Sequence, residues 1–207
     1  MTAQEPVLRI ASIPAAAAAP APAKTAQQPD EYSTEDRRML LSLARRAIRC
    51  ALNREHPEIV IPSERLRQPR GVFTTLRIGH NLRGCVGQSF PHQPLAEAVA
   101  STAASAAMRD PRFSPLSVAE FTSVRISLSV LSPIFNIRPE EIELGRHGLL
   151  ISLGGRHGLL LPQVPVEMGW DLATFLEQTC RKSGLASDAW NNGALLEAFT
   201  AEVFGEE

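Results

Sequence analysis

The sequence predicts an α+β protein, with a mixed, mainly antiparallel sheet and helices packed on it. Three observations give this reading. Apolar residues recur at helical spacing in three stretches, and in others they alternate as in half-buried strands. The strands also follow one another through short turns more than through β-α-β units.

The first helix is announced by Ser33 and Thr34 ahead of Asp36, with Leu40, Leu43, Ala44, Ala47, Ile48 and Ala51 on one face. Pro57 stops it, and residues 57–70, rich in proline and arginine, read as a connector. Val72, Thr74 and Leu76 alternate with Phe73, Thr75 and Arg77, Gly79-His80-Asn81 turns the chain, and Leu82–Gly87 returns as a second strand. Pro94 suits the start of a second helix, whose stripe is Leu95, Ala98, Val99, Thr102, Ala103 and Ala106. Asp110-Pro111 ends that helix, because the residue before proline avoids the helical region. Val124, Ile126, Leu128 and Val130 mark a further strand, closed by Pro133.

Residues 145–160 carry a near-repeat, Gly-Arg-His-Gly-Leu-Leu at 145 and again at 155, around Gly154-Gly155. This predicts a hairpin with a glycine turn. A third helix starts near Asp171 and stops at Gly184, and Leu195–Phe204 reads as one last strand. Trp170 and Trp190 read as packing anchors.

Residues 1–30 hold ten alanines and five prolines, and are expected to be a disordered tail. Glu5, Arg9 and Pro14 interrupt the pattern of a signal peptide. Residues 31–207 form a single domain, large enough to fold without disulfides or metal.

The chain has 207 residues, 44% hydrophobic and 21% charged, with a formal net charge of −1. That balance argues against binding duplex DNA by bulk electrostatics, and no apolar stretch is long enough for a membrane helix. The cations are almost all arginine, since Lys24 and Lys182 are the only lysines, so a Schiff-base or P-loop lysine has almost nowhere to sit. With Tyr32 as the single tyrosine, a tyrosine acid in the core is excluded. Cys50, Cys85 and Cys180 are too few and too scattered for a disulfide framework or a zinc site. They fit a reducing compartment, and a cytoplasmic location is expected. No metal site and no cofactor are expected.

The candidate site is Leu82-Arg83-Gly84-Cys85-Val86-Gly87. In a strand, Arg83, Cys85 and Gly87 share a face, and an arginine in phase with a cysteine favours the thiolate. Gly84 and Gly87 would let a ligand approach the main chain. A free cysteine is also a common small core residue, and strand glycines also mark bulges, so both readings stand. Asp110 and Arg112, in Asp110-Pro111-Arg112-Phe113, are further ligand-binding candidates, beside the alternative of a plain helix stop. Gln163, after Leu161-Pro162, could read a polar ligand or satisfy loop backbone. His147 and His157 are loop histidines for which a general-base role is open.

Taken in order, Gly71–Leu76, Leu82–Gly87, Asp110–Phe113, Leu131-Ser132-Pro133, Gly158–Val164 and Gly169-Trp170-Asp171 resemble the AMMECR domain family over about residues 33–206. Prokaryotic members of this family resemble the A component of the AmmeMemoRadiSam system. The resemblance implies a two-layer α+β fold, a functional site at Leu82–Cys85, and a pathway shared with a Memo-like protein and a radical S-adenosylmethionine enzyme. Many relatives are acidic just before Asp-Pro-Arg-Phe, where this chain has Arg109, so an anion-friendly site is expected if Arg109 lies near Arg83 and Arg112.

Three functions follow as expectations. The first is a small-ligand-binding or thiol-dependent accessory domain, with Cys85 as the reactive group. The second is a nucleotide- or RNA-binding module, suggested by arginines near 65–83 and 109–112. The third is a non-catalytic protein-interaction adaptor.

Overall fold

The structure, a computed structural model, describes residues 31–206 except Val60 and Pro62. The tail expected over residues 1–30 lies outside the described residues. Helix α1 (Thr34–Asn53) begins at a reciprocal cap, in which Ser33 Oγ accepts the Asp36 N–H at 3.1 Å and the Asp36 carboxylate accepts the Ser33 N–H at 3.3 Å. The connector contains a single helical turn, α2 (Glu64–Arg67). Strands β1 (Val72–Ile78) and β2 (Asn81–Gln88) form the expected hairpin, with Gly79 at φ 58° supplying the left-handed turn residue.

Helix α3 (Leu95–Met108), the short α4 (Val118–Phe121), β3 (Val124–Leu131) and the two-residue β4 (Phe135–Asn136) follow. The near-repeat forms the hairpin β5 (Gly148–Leu153) and β6 (Arg156–Leu160). Then come α5 (Gln163–Met168), α6 (Leu172–Lys182), β7 (Leu195–Phe199) and β8 (Ala201–Gly205).

The strands form two four-stranded sheets, β2-β1-β3-β8 and β4-β7-β5-β6, and every pairing between them is antiparallel. The α+β class with mainly antiparallel pairing is as expected, and the strands divide between two sheets. The run Leu195–Phe204 is two strands in different sheets, and the chain crosses between them at Thr200. There Thr200 O accepts the Ser132 N–H at 2.9 Å, and Ser132 Oγ accepts the Thr200 N–H at 3.0 Å. Pairing of Thr200 with Ser132 takes it out of both ladders, which the local sequence does not signal.

One face of the first sheet packs on α1 and α3 through Val72, Leu76, Val124, Ile126, Leu128 and Val130. Helix α3 presents alanines here, so backbone approaches backbone closely, and the buried Thr74 and Thr102 hydroxyls meet at 2.8 Å. Against expectation Tyr32 belongs to this core, 1% exposed, and burial first of all pushes its phenol up to about 12. The second sheet packs on α6 through Leu149, Ile151, Phe175, Leu176 and Cys180, with Trp170 and Trp190 against this cluster. Phe73 and Leu131 of the first sheet join Leu150, Leu159 and Phe199 of the second in a cluster that binds the two sheets together. Among the described residues, no helix is long and apolar enough to cross a membrane.

Candidate functional site

The register of β1 against β2 and β3 places side chains in rows on the face of the first sheet turned away from α1 and α3. Thr75 pairs with Cys85 on one side and Ser127 on the other. Two residues along, Arg77 pairs with Arg125. Two residues the other way, Phe73 pairs with Gly87 and Ser129. The inner face is sealed by apolar side chains, but Thr75, Cys85, Ser127 and Ser129 are all half-buried, and Arg77 and Arg125 are exposed. This outer face forms a polar shelf. Cys85 Sγ and Thr75 Oγ1 lie 3.4 Å apart on it.

β2 is the edge strand, and its outward backbone groups at Cys85 need partners. Asp110 and Arg112 supply them. Asp110 Oδ2 accepts the Cys85 N–H at 2.8 Å, and Arg112 Nη2 donates to Cys85 O at 3.2 Å. The two side chains hold each other, with Arg112 Nη2 to Asp110 Oδ2 at 2.7 Å and Nε to Oδ1 at 3.0 Å. The Asp110–Arg112 pair thus stands where a neighbouring strand would be. The Asp110 side chain is 2% exposed. Burial opposes its charge, but the bonds from Arg112 and from the Cys85 and Arg112 N–H groups outweigh this and hold its carboxyl below the usual range. The Arg112 guanidinium is kept charged by Asp110 first, and also by the adjacent Cys85 sulfur.

Arg83 does not take the expected place beside Cys85. The β1–β2 register slips between Leu76 and Arg77, so that Leu76 faces Gly84 and Arg77 faces Leu82, with Arg83 left unpaired in a bulge. A bulge re-aims its side chain. Arg83 turns to the segment after α3, where its Nε meets Glu120 Oε1 at 2.8 Å and its Nη2 meets Glu120 Oε2 at 3.1 Å. The Glu120 carboxyl, held by Arg83 first and then by Ser117, falls to about 2. The Phe113 ring lies against both the Arg83 and the Arg112 guanidinium, at 5.9 and 5.5 Å. The cation beside the sulfur is therefore Arg112.

The two glycines serve the protein's own packing. A Cβ on Gly84 would fall on the Ala106 carbonyl of α3, and one on Gly87 would fall in the Phe73 ring. Their missing side chains make room for the fold and not for a ligand. Arg109 is exposed and turns back along α3 to Ser105 Oγ at 3.0 Å, so it adds no charge to the cluster. Gln163 opens α5 and is exposed, with no bond to Asp110, Arg112 or Cys85 among the described residues. His147 is buried and its Nδ1 accepts the Glu143 N–H at 3.0 Å. His157 is exposed, edge-on to Phe90 at 5.5 Å. No group of three or more His, Cys, Asp or Glu suited to a metal occurs among the described residues.

Sequence reasoning missed Thr75, Ser127, Arg77, Arg125 and Glu120. Alternation in β1 and β3 was a signal for the first four, since it puts them on one face. The Ser117-x-x-Glu120 capping box was a signal for the fifth, and both of its reciprocal bonds form.

Two antiparallel sheets joined by an aromatic and aliphatic cluster, each with helices on its far side, define an α+β domain with a thiol on a sealed edge strand. The AMMECR1 family model matches residues 41–204 of this chain. A protein of Aquifex aeolicus is 42% identical over 184 residues, covering 83% of this chain and 93% of that one. A protein of Thermococcus onnurineus is 45% identical over 185 residues, covering 81% and 89%. The crystal structure of the uncharacterised Pyrococcus horikoshii protein PH0010 superposes with a TM-score of 0.73 at 40% identity, covering 82% of this chain and 90% of that one. The chain belongs to the AMMECR1 family.

Proposed function

We propose that this chain is a small-ligand-binding, thiol-dependent accessory domain whose reactive group is Cys85. The observation that supports this most is the setting of one sulfur. It is half-buried on a polar shelf, near a hydroxyl and a fixed guanidinium, on a strand whose backbone is held rigid by a buried carboxylate. A thiol that served only as core filling would face α3, as Gly84 and Val86 do. Here the Arg112 guanidinium is anchored on the Cys85 carbonyl, Thr75 Oγ1 lies beside the sulfur, and Asp110 keeps Arg112 in place. Family membership adds the expectation of a pathway shared with a Memo-like protein and a radical S-adenosylmethionine enzyme.

Alkylation by iodoacetamide, mapped by mass spectrometry on the folded chain, tests the reading with an internal control. Cys50 is also half-buried but has no such surroundings, and Cys180 is buried. Cys85 is expected to react faster than both, and Arg112→Gln to slow it toward the Cys50 rate. Equal rates at Cys85 and Cys50, or no reaction at Cys85 before unfolding, would overturn the assignment.

The adaptor reading draws on a different observation. Arg83, Glu120, Asp110 and Arg112 are all engaged within the protein, as edge protection requires. Capture of a co-expressed partner that survives Cys85→Ala unchanged would favour it over the thiol.

A further inference from the structure

The row next to Thr75 and Cys85 contains a like-charge pair. Arg77 and Arg125 are directly opposed across β1 and β3, which sets their Cβ atoms about 5 Å apart on the outer face. Like charges facing each other across strands are unfavourable unless something neutralises them. Arg77 donates to the His80 carbonyl at 3.1 Å, which leaves its charge unbalanced. Glu167 of α5 lies within electrostatic reach of Arg77 but makes no ion pair with it among the described residues. Arg125 makes no hydrogen bond or ion pair among the described residues. It borders an open concavity of about 470 Å³ beside Arg45, Thr122 and Ser123, where Glu206 is bound to Arg45 and leaves Arg125 uncompensated. Two exposed arginines therefore stand opposite each other in the row next to the thiol, about 7 Å along the strand.

We infer that the shelf binds a small phosphorylated molecule, with its phosphate seated on Arg77 and Arg125 and its body lying over Thr75 and Ser127 toward Cys85. A phosphate dianion matches the charge of two arginines, and its oxygens fit the planar guanidinium fork. The hydroxyls of Thr75 and Ser127 offer the body of the ligand hydrogen bonds, and the Phe73 ring closes the far end of the shelf. This inference rests on the shelf being a ligand site, as proposed above, but not on the chemistry of Cys85.

The test is a titration of the full chain with inorganic phosphate, followed by amide chemical shifts, with chloride at matched ionic strength as the control. Saturable shifts are expected at residues 75–77 and 125–127. Arg77→Gln and Arg125→Gln are each expected to weaken binding about tenfold, without changing the melting temperature by more than a surface substitution does. Phosphate binding there, with Cys85 inert to alkylation, would leave the anion site standing and remove only the thiol reading. Shifts matched by chloride, or retained in both arginine variants, would overturn the inference. A short oligoribonucleotide that binds with a steep salt dependence where phosphate does not would overturn it in favour of a polynucleotide surface.

Discussion

Asp110 concentrates more of the local structure than any other side chain near the site. It carries a buried charge, fixes Arg112, and closes the edge of β2 at Cys85. Removing it strands an arginine and a backbone N–H, so Asp110→Ala is expected to cost about 2–4 kcal/mol, read as a lower urea midpoint at unchanged slope. The acid response follows from two carboxyls held low. Asp110 and Glu120 both ionise more readily folded than unfolded, so their stabilisation is complete above about pH 4.5 and is lost as the pH falls below it. For Glu120 the loss continues to about pH 2. Acid titration followed at the Cys85 and Ser117 amides should show the edge loosening in this window, and unchanged amides down to pH 2 would contradict it. Gly84→Ala tests packing. Its Cβ meets the Ala106 backbone, which cannot rotate away, and a cost of about 3 kcal/mol is expected. Gly87→Ala meets a side-chain ring that can shift, so it should cost less.

Single elements were mostly readable, and their exceptions have physical causes. The stripes of α1, α3 and α6 and the alternation of β1 and β3 stand out because each element buries one face. Helix α5 went unseen, since six residues with Pro165 inside them leave no helical period to detect. The bulge at Arg83 was invisible because it is a property of the β1–β2 pairing, not of either strand. The loop before β5 allows a prediction at this scale. Burial above all, helped by Arg146 and opposed by Glu143, lowers the affinity of His147 for a proton, and its Nδ1 must stay unprotonated to accept the Glu143 N–H. Its folded value is thus below its unfolded one, so its stabilisation is complete above about pH 6.5 and fades as the pH falls below that. An imidazole NMR titration of His147 should have its midpoint below 6.5, and one above it would refute this burial argument.

On the scale of the whole molecule, the two sheets are joined through Phe73, Leu131, Leu150, Leu159 and Phe199. Phe73 also covers Gly87 and ends the shelf, so this contact couples the stability of the interface to the shape of the site. Phe73→Ala is expected to cost about 3–5 kcal/mol in urea unfolding and to raise amide exchange in both sheets. Exchange raised in only one sheet would mean that the sheets open independently. Periodicity and short motifs carry the α+β class, most of the helices and hairpins, the family, and the two motifs around Cys85 and Asp110. These are legible because periodicity and local motifs are written over a few consecutive residues. That Arg112 and not Arg83 accompanies the sulfur, that Gly84 and Gly87 are filled from within, and that Arg77 and Arg125 stand opposite each other beside the thiol emerges from the folded arrangement. Those facts depend on strand register and on contacts between residues that are not neighbours in sequence, such as Cys85 with Asp110 and Arg77 with Arg125. Side-chain facing reverses with a one-residue slip, so no local pattern can carry that information.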